Sequence, residues 1–115
     1  MSKPSATIIQ QLPTASADST DVGIAVINHL TILGLPGVAH DHESRIVFGE
    51  KKYGQRLKIH NGRNALLDAY QECLDSLSYL MQAHMEGISG SLWLFEQAAK
   101  LTKEVEKMLS VPDGK

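Results

Sequence analysis

The chain has 115 residues, 11 Lys and Arg against 13 Asp and Glu, a formal net charge of −2 and 43% hydrophobic side chains. That inventory fits one small globular domain. It excludes binding to duplex nucleic acid or to an anionic membrane surface, both of which need clustered positive charge. A chain this short buries only roughly two-thirds of the surface its unfolded form exposes, so association with further copies would add core.

Cys73 is the single cysteine, which leaves no internal disulfide and no multi-cysteine metal site. Set in an apolar helical pattern, it is expected to be a reduced, packed thiol. No apolar run approaches the roughly 18 residues of a membrane span. The first residues also lack the charged start, long apolar stretch and small-residue cleavage site of a secretory signal. Both observations point to an intracellular, cytoplasmic protein.

Residues 1–20 are rich in Ser, Thr, Ala and Pro, with Pro4 and Pro13 blocking a continuous helix and Ile8, Ile9 and Leu12 as the apolar anchors; this is a flexible N-terminal arm. The helical domain is expected over 21–110. From Asp21 to Leu33, the residues Val22, Ile24, Val26, Ile27, Leu30 and Leu33 fit a short helix capped by Ser19, Thr20 or Asp21 and stopped by Gly34 and Pro36. Its β-branched content leaves a strand open.

Pro36 suits a first helical turn, so a second helix is expected over about Gly37 to Tyr53, with Gly49 weakening its middle and Gly54 as its C-terminal cap. Asn61-Gly62 then marks a turn. The third helix, about Asn64 to Glu86, is the clearest: at about 100° per residue, Leu66, Tyr70, Cys73, Leu74, Leu77, Leu80 and Met81 fall on one broad face. Gly87 and Gly90 break it. A fourth helix over about Ser91 to Leu109 offers Leu92, Phe95, Ala99, Leu101, Val105, Met108 and Leu109 for burial, and 111–115 form a tail. The expected fold is all-α, an antiparallel bundle of three to four helices with an extended N-terminal arm. Trp93 and Phe95 diverge by about 160° on a helix, so a monomer burying one exposes the other; a homodimer or larger homo-oligomer through the third and fourth helices would cover both.

Asp68, Glu72 and Asp75 are spaced i, i+4, i+7, which lays three carboxylates in one stripe of the third helix, with Tyr79 continuing it. Such like charges need water or a cation to screen them, and Mg²⁺ binds oxygen clusters of this kind. The competing reading is the solvated side of an amphipathic helix. Arg45, Lys51, Lys52, Arg56, Lys58 and Arg63 supply the opposite charge. On helical spacing Asp41, Arg45, Phe48 and Lys52 share a face, an arrangement that suits a nucleotide, although Asp41 with Arg45 is also an ordinary i, i+4 surface pair. His29, His40-Asp41 and Asp75 follow the order of metal ligands in HD-class phosphohydrolases. The short, Gly- and Pro-containing interval between His29 and His40 is expected to be too little for ligands on two full facing helices. No Ser-His-Asp or Cys-His arrangement, Gly-x-Gly-x-x-Gly or Walker-type loop is present.

The segment from Asp41 to Ala83, DHESRIVFGEKKYGQRLKIHNGRNALLDAYQECLDSLSYLMQA, resembles the small MazG-like nucleotide pyrophosphohydrolases of bacteriophages and bacteria. Lys52-Tyr53-Gly54, Asn61-Gly62-Arg63 and Asp68-Ala69-Tyr70-Gln71-Glu72 through Asp75 carry the likeness. The resemblance implies an oligomeric all-α fold that hydrolyses a nucleoside or deoxynucleoside triphosphate to monophosphate and pyrophosphate with Mg²⁺, or Mn²⁺ in its place. It implies Glu72 and Asp75 as metal ligands, with Asp41 or Glu43 completing the shell or positioning the attacking water. Arg45, Lys52 and Arg63 become phosphate clamps, Asn61 and Tyr53 sugar or base contacts, and Asp68 a further substrate contact. The Glu-x-x-Glu of better-known members has no counterpart in that form, and Asp41, Glu43 and Glu50 stand in its neighbourhood. The alternative implied is a non-catalytic helical module of the same fold that sequesters nucleotides or serves assembly.

Overall fold

The computed structural model describes residues 3–15 and 20–110; Ser19 and the tail over 111–115 lie outside them. Among the described residues the regular structure is all helical: α1 Val22–Ile32, α2 Pro36–Tyr53, α3 Ala65–Met85 and α4 Ser91–Leu109. The chain divides into two compact units, Met1–Gln10 with Asn64–Lys115, and Gln11–Arg63. Among the described residues no helix is long and apolar enough to cross a membrane.

In the first unit Asn64 begins α3 as its N-cap, the side chain accepting the Leu67 N–H at 3.0 Å and so satisfying one of the free donors at the helix start. α3 and α4 pack as an antiparallel pair, because Leu67 and Tyr70 near the start of α3 meet Val105 and Leu109 near the end of α4. These four are the buried apolar cluster, and Ala6, Leu66, Cys73 and Leu74 lie against it. Cys73 is a free, half-buried thiol, as its apolar setting implies.

The face of α4 keeps Phe95, Ala99, Val105 and Leu109 of the expected set and departs from it at Leu92, Leu101 and Met108. Ser91, Thr102, Val105 and Leu109 are buried, with Phe95 and Ala98 half-buried between them, a regular alternation of four and three residues. Leu92, Leu101 and Met108 stay exposed, Leu101 at 58% and Met108 at 60%. A polar residue takes the central position without penalty because the Thr102 hydroxyl donates to the Ala98 carbonyl at 2.7 Å.

In the second unit Asp21 is the N-cap of α1, its Oδ1 accepting the Ile24 N–H at 3.3 Å, so the β-branched stretch after it is helical. Pro36 opens α2 and Gly54 closes it in the left-handed region at φ 77°, donating to Glu50 O. α1 and α2 also run antiparallel: a Cβ at Gly23 would lie 2.6 Å from Ile46 Cδ1, so glycine lets the start of α1 approach the second half of α2; against expectation, the short interval between His29 and His40 does place them on two facing helices, because a tight turn over 33–35 is enough to join an antiparallel pair. Asp21 further pairs with the loop after α2, through a bridge to Lys58 and an ion pair of 3.0 Å from Arg56 Nε to its Oδ2.

Candidate functional site

The carboxylates of α3 are presented by the helix side opposite the apolar cluster. Asp68 is half-buried, whereas Glu72, Asp75 and Tyr79 are exposed. Neither Glu72 nor Asp75 makes an ion pair among the described residues. Three positions apart, they sit on adjacent turns of one face. Asp68 stands in the first turn, where negative charge is favoured by the helix dipole, and its Oδ1 accepts a hydrogen bond from Gln10 Nε2 at 2.9 Å.

Sequence reasoning missed what holds that end of α3. The Gln10 amide also donates to Asn64 O at 3.1 Å, and its Oε1 accepts the Asn64 N–H at 2.5 Å. Gln71 donates to the carbonyls of Ala6, at 3.1 Å, and Ile8, at 2.8 Å. Lys3 reaches Glu106 at 2.5 Å and the Tyr70 hydroxyl at 3.1 Å, with its ammonium 4.9 Å from the centre of the Tyr70 ring. The hydrogen bond to Glu106, then that to Tyr70, raises the Lys3 ammonium above the ordinary lysine range. Lys3 in turn lowers Glu106 below the ordinary carboxylate value. The composition of residues 1–20 signals an arm but carries no sign of where it docks.

The other candidates belong to the second unit. Asp41, Glu43, Arg45, Phe48, Lys52 and Tyr53 are all exposed on α2. The expected i, i+4 pair of Asp41 with Arg45 does not form: the Arg45 guanidinium lies 5.2 Å from the Phe48 ring centre instead. A planar cation over an exposed ring shields apolar area that a salt bridge to Asp41 would leave wet. Lys52 lies 5.2 Å from the Tyr53 ring centre, so the two cations of the shared face take different aromatic partners.

Arg63 and Asn61 build the loop that carries them. Asn61 O accepts from the Thr14 N–H at 2.7 Å and from its hydroxyl at 3.0 Å, Asn61 Oδ1 accepts the Arg63 N–H at 3.1 Å, and Arg63 Nη1 donates to Gln11 O at 2.6 Å. Gly62 adopts φ 84°, and a Cβ there would meet Gln11 Nε2 and Thr14 Oγ1 at 2.9 Å. Arg56, read from sequence as one of the cations available to a ligand, is engaged with Asp21.

Among the described residues no three His, Cys, Asp or Glu side chains converge to hold a metal ion. Glu72 and Asp75 are a two-carboxylate donor set. Two carboxylates alone do not make an all-protein cage; a hard divalent cation held by them would take its remaining ligands from water or a bound phosphate. At the α3–α4 turn, away from these carboxylates, lie two open hollows. One, about 640 Å³, is lined by Leu77, Met81, Met85 and Phe95 among others, and the other, about 370 Å³, by Trp93, Leu92 and the turn itself. No family model, curated protein or solved structure matches this chain.

Proposed function

We propose that the chain is a MazG-like, Mg²⁺-dependent pyrophosphohydrolase that converts a nucleoside or deoxynucleoside triphosphate to the monophosphate and pyrophosphate. The observation that carries the reading is the pair Glu72 and Asp75, exposed and free of ion pairs on the solvent side of a helix whose other side is core. Both would hold the ion and leave its other positions to water and phosphate. When bound, Mg²⁺ neutralises charge developing on the leaving pyrophosphate and makes an attacking water more acidic.

This chain's own contribution is to fix those carboxylates on one rigid helix, where their spacing is set by the backbone. The Arg45, Lys52 and Arg63 side chains are the candidate phosphate clamps and Asp41 and Glu43 the candidate water-positioning carboxylates, on the strength of the sequence resemblance. The test is a panel of NTPs and dNTPs with Mg²⁺, resolved by chromatography for monophosphate and pyrophosphate. Glu72→Gln and Asp75→Asn each abolish turnover while the helical circular dichroism stays intact, since ligation needs a charge that an exposed helix face does not need for folding. Activity within about twofold of wild type would refute the assignment, because loss of a metal ligand removes transition-state stabilisation far larger than that.

A second reading, a nucleotide-sequestering or assembly module without turnover, is favoured by the lack of a third converging donor among the described residues. Protein-bound but unchanged nucleotide in the same panel selects it.

The partner we propose for the α3–α4 pair is a second copy of the chain. Leu74, Leu77, Leu80 and Met81 are only half-buried, Trp93 is 62% exposed, and Leu94, Leu101 and Met108 form a parallel exposed stripe seven residues apart. An apolar surface of this extent marks an interface. Light scattering at micromolar concentration should give a multiple of the 12.6 kDa chain mass; the monomer mass with full activity would rule the assembly out.

A further inference from the structure

The α3–α4 pair has two sides, and the chain covers part of one of them itself. Gln71 on α3 and Glu106 on α4 mark that side, Gln71 holding the carbonyls of Ala6 and Ile8 and Glu106 holding Lys3. Two apolar stripes, each repeating every seven residues, lie elsewhere: Leu66, Cys73 and Leu80 on α3, and Leu94, Leu101 and Met108 on α4. At about 100° per residue each stripe is turned roughly 70–80° from its helix's buried line, in the sense opposite to Gln71 and to Glu106. Because the helices are antiparallel, both stripes therefore face the side away from the arm. The α3 stripe is half-buried and the α4 stripe exposed. The packing of Leu67 and Tyr70 against Val105 and Leu109 sets Leu66 level with Met108, Cys73 with Leu101 and Leu80 with Leu94, in three apolar layers. A stripe with a seven-residue repeat is a coiled-coil seam, which another helix covers by lying along it.

We propose that the side away from the arm is the self-association surface, and that a second copy lays the same side against it to close a four-helix bundle in which α3 of each copy lies on α4 of the other. The inference rests on the second-copy reading given above and supplies its surface and its orientation. Charge selects the orientation. α3 carries Asp68, Glu72 and Asp75 and neither Lys nor Arg up to its end at Met85. The part of α4 level with them carries Lys100, Lys103 and Lys107 against Glu104, since Glu106 is engaged by Lys3. A two-fold axis along the bundle sets the acidic helix of one copy beside the lysine-bearing half of α4 in the other, and each apolar layer meets the same layer of its partner. An axis across the helices would instead lay α3 on α3 and bring both sets of carboxylates together, a like-charge arrangement that is disfavoured.

Light scattering of the full chain at micromolar concentration tests the surface. The wild type is expected at twice the 12.6 kDa chain mass. Leu101→Glu and Met108→Glu should each return it to the chain mass with unchanged helical circular dichroism, because both side chains are exposed and folding does not need them. Leu92→Glu, exposed on the arm's side of α4, should leave the dimer intact. A monomeric wild type overturns this surface and the second-copy reading together. A dimer that survives both Leu101→Glu and Met108→Glu, or one that Leu92→Glu dissociates, overturns the surface and leaves self-association standing. Oxidative cross-linking with copper–phenanthroline tests the orientation in a Cys73→Ser background, with one chain of each mixture tagged so that the mixed dimer is read by its mass. Leu80→Cys mixed with Leu94→Cys should give that covalent dimer on a non-reducing gel, and Leu80→Cys mixed with Leu66→Cys should not. The reverse result places α3 on α3 and overturns the proposed bundle.

Discussion

The two helix pairs use apolar residues in opposite ways. α1 reads Val-Gly-Ile-Ala-Val-Ile-Asn-His-Leu-Thr-Ile, the most apolar helix of the four. Even so, Gly23 and Ala39 are the buried residues of α1 and α2, and Ile24, Ile32, Val38, Val47 and Phe48 are exposed. α3 and α4 are more polar on average than α1, but their apolar residues segregate to one side, and Leu67, Tyr70, Val105 and Leu109 are buried. The difference teaches that arrangement decides burial. A stripe gives a helix one face to hide, whereas apolar residues on every side leave any single partner covering a fraction of them. The α1–α2 pair depends correspondingly more on specific contacts: the Asp21 cap, its ion pair with Arg56, and the Val22 N–H donating to Leu57 O at 3.2 Å.

The sharpest way to break this comparison is to truncate one side chain in each pair. Leu67, at 2% exposure, is the most buried residue of its cluster, so Leu67→Ala should cost about 2–5 kcal/mol, the transfer term plus a cavity. Ile32→Ala, at 79% exposure, should stay within about 0.5 kcal/mol, as surface changes do. Denaturant unfolding of both variants measures the contrast. Equal losses would mean that a partner covers the apolar surface of α1 in solution, so that the two helix pairs differ in the isolated chain alone.

Next in size is a backbone effect in the second unit. Gly62→Ala places a Cβ 2.9 Å from Gln11 Nε2 and Thr14 Oγ1 at φ 84°. A loss of about 1–3 kcal/mol is expected, the scale of a side chain forced into a conformation it disfavours. If the change proves neutral, the loop over 60–63 does not pin residues 11–14 as its hydrogen bonds indicate.

What the sequence discloses follows the range of the interactions. Local signals were legible: Asp21 among the three candidate caps of α1, Pro36 and Gly54 at the ends of α2, Asn61-Gly62 as a turn, and the stripe of Asp68, Glu72 and Asp75 opposite the core. All of these are written within a few residues of where they act. The core face of α4 was legible in part: Phe95, Ala99, Val105 and Leu109 were in the expected set, but Leu92, Leu101 and Met108 flank the true stripe and periodicity cannot choose between adjacent apolar sets, nor does it pick out the polar Ser91 and Thr102. Lys3 with Glu106 and Arg56 with Asp21 were not legible either, since ion pairs between distant positions leave no local pattern. Arg45 chose Phe48 over Asp41, and spacing alone allows both.

The smallest effect expected concerns the Lys3–Glu106 contact, and its sign follows from the two titrations. Glu106 is held below its ordinary value of 4.5, mainly by the Lys3 hydrogen bond, so its contribution is present above that value and disappears as pH falls through the lowered one. Lys3 is held above its ordinary 10.5, mainly by Glu106 and then by Tyr70, so its contribution is present below that value and disappears as pH rises through the raised one. The clasp is therefore intact across the neutral range and weakens toward both extremes. Both side chains remain substantially open to solvent, at 32% and 44%, which keeps the effect on global stability below that of Leu67→Ala or Gly62→Ala. Lys3→Ala should lower Tm slightly at pH 7 and flatten the acid limb of the Tm–pH curve, because Glu106 then loses its main reason to titrate low. An acid limb identical in the variant and the wild type would show that Lys3 does not hold the arm to α4 in solution, and would set the arm apart from the well-packed pair against which it is drawn.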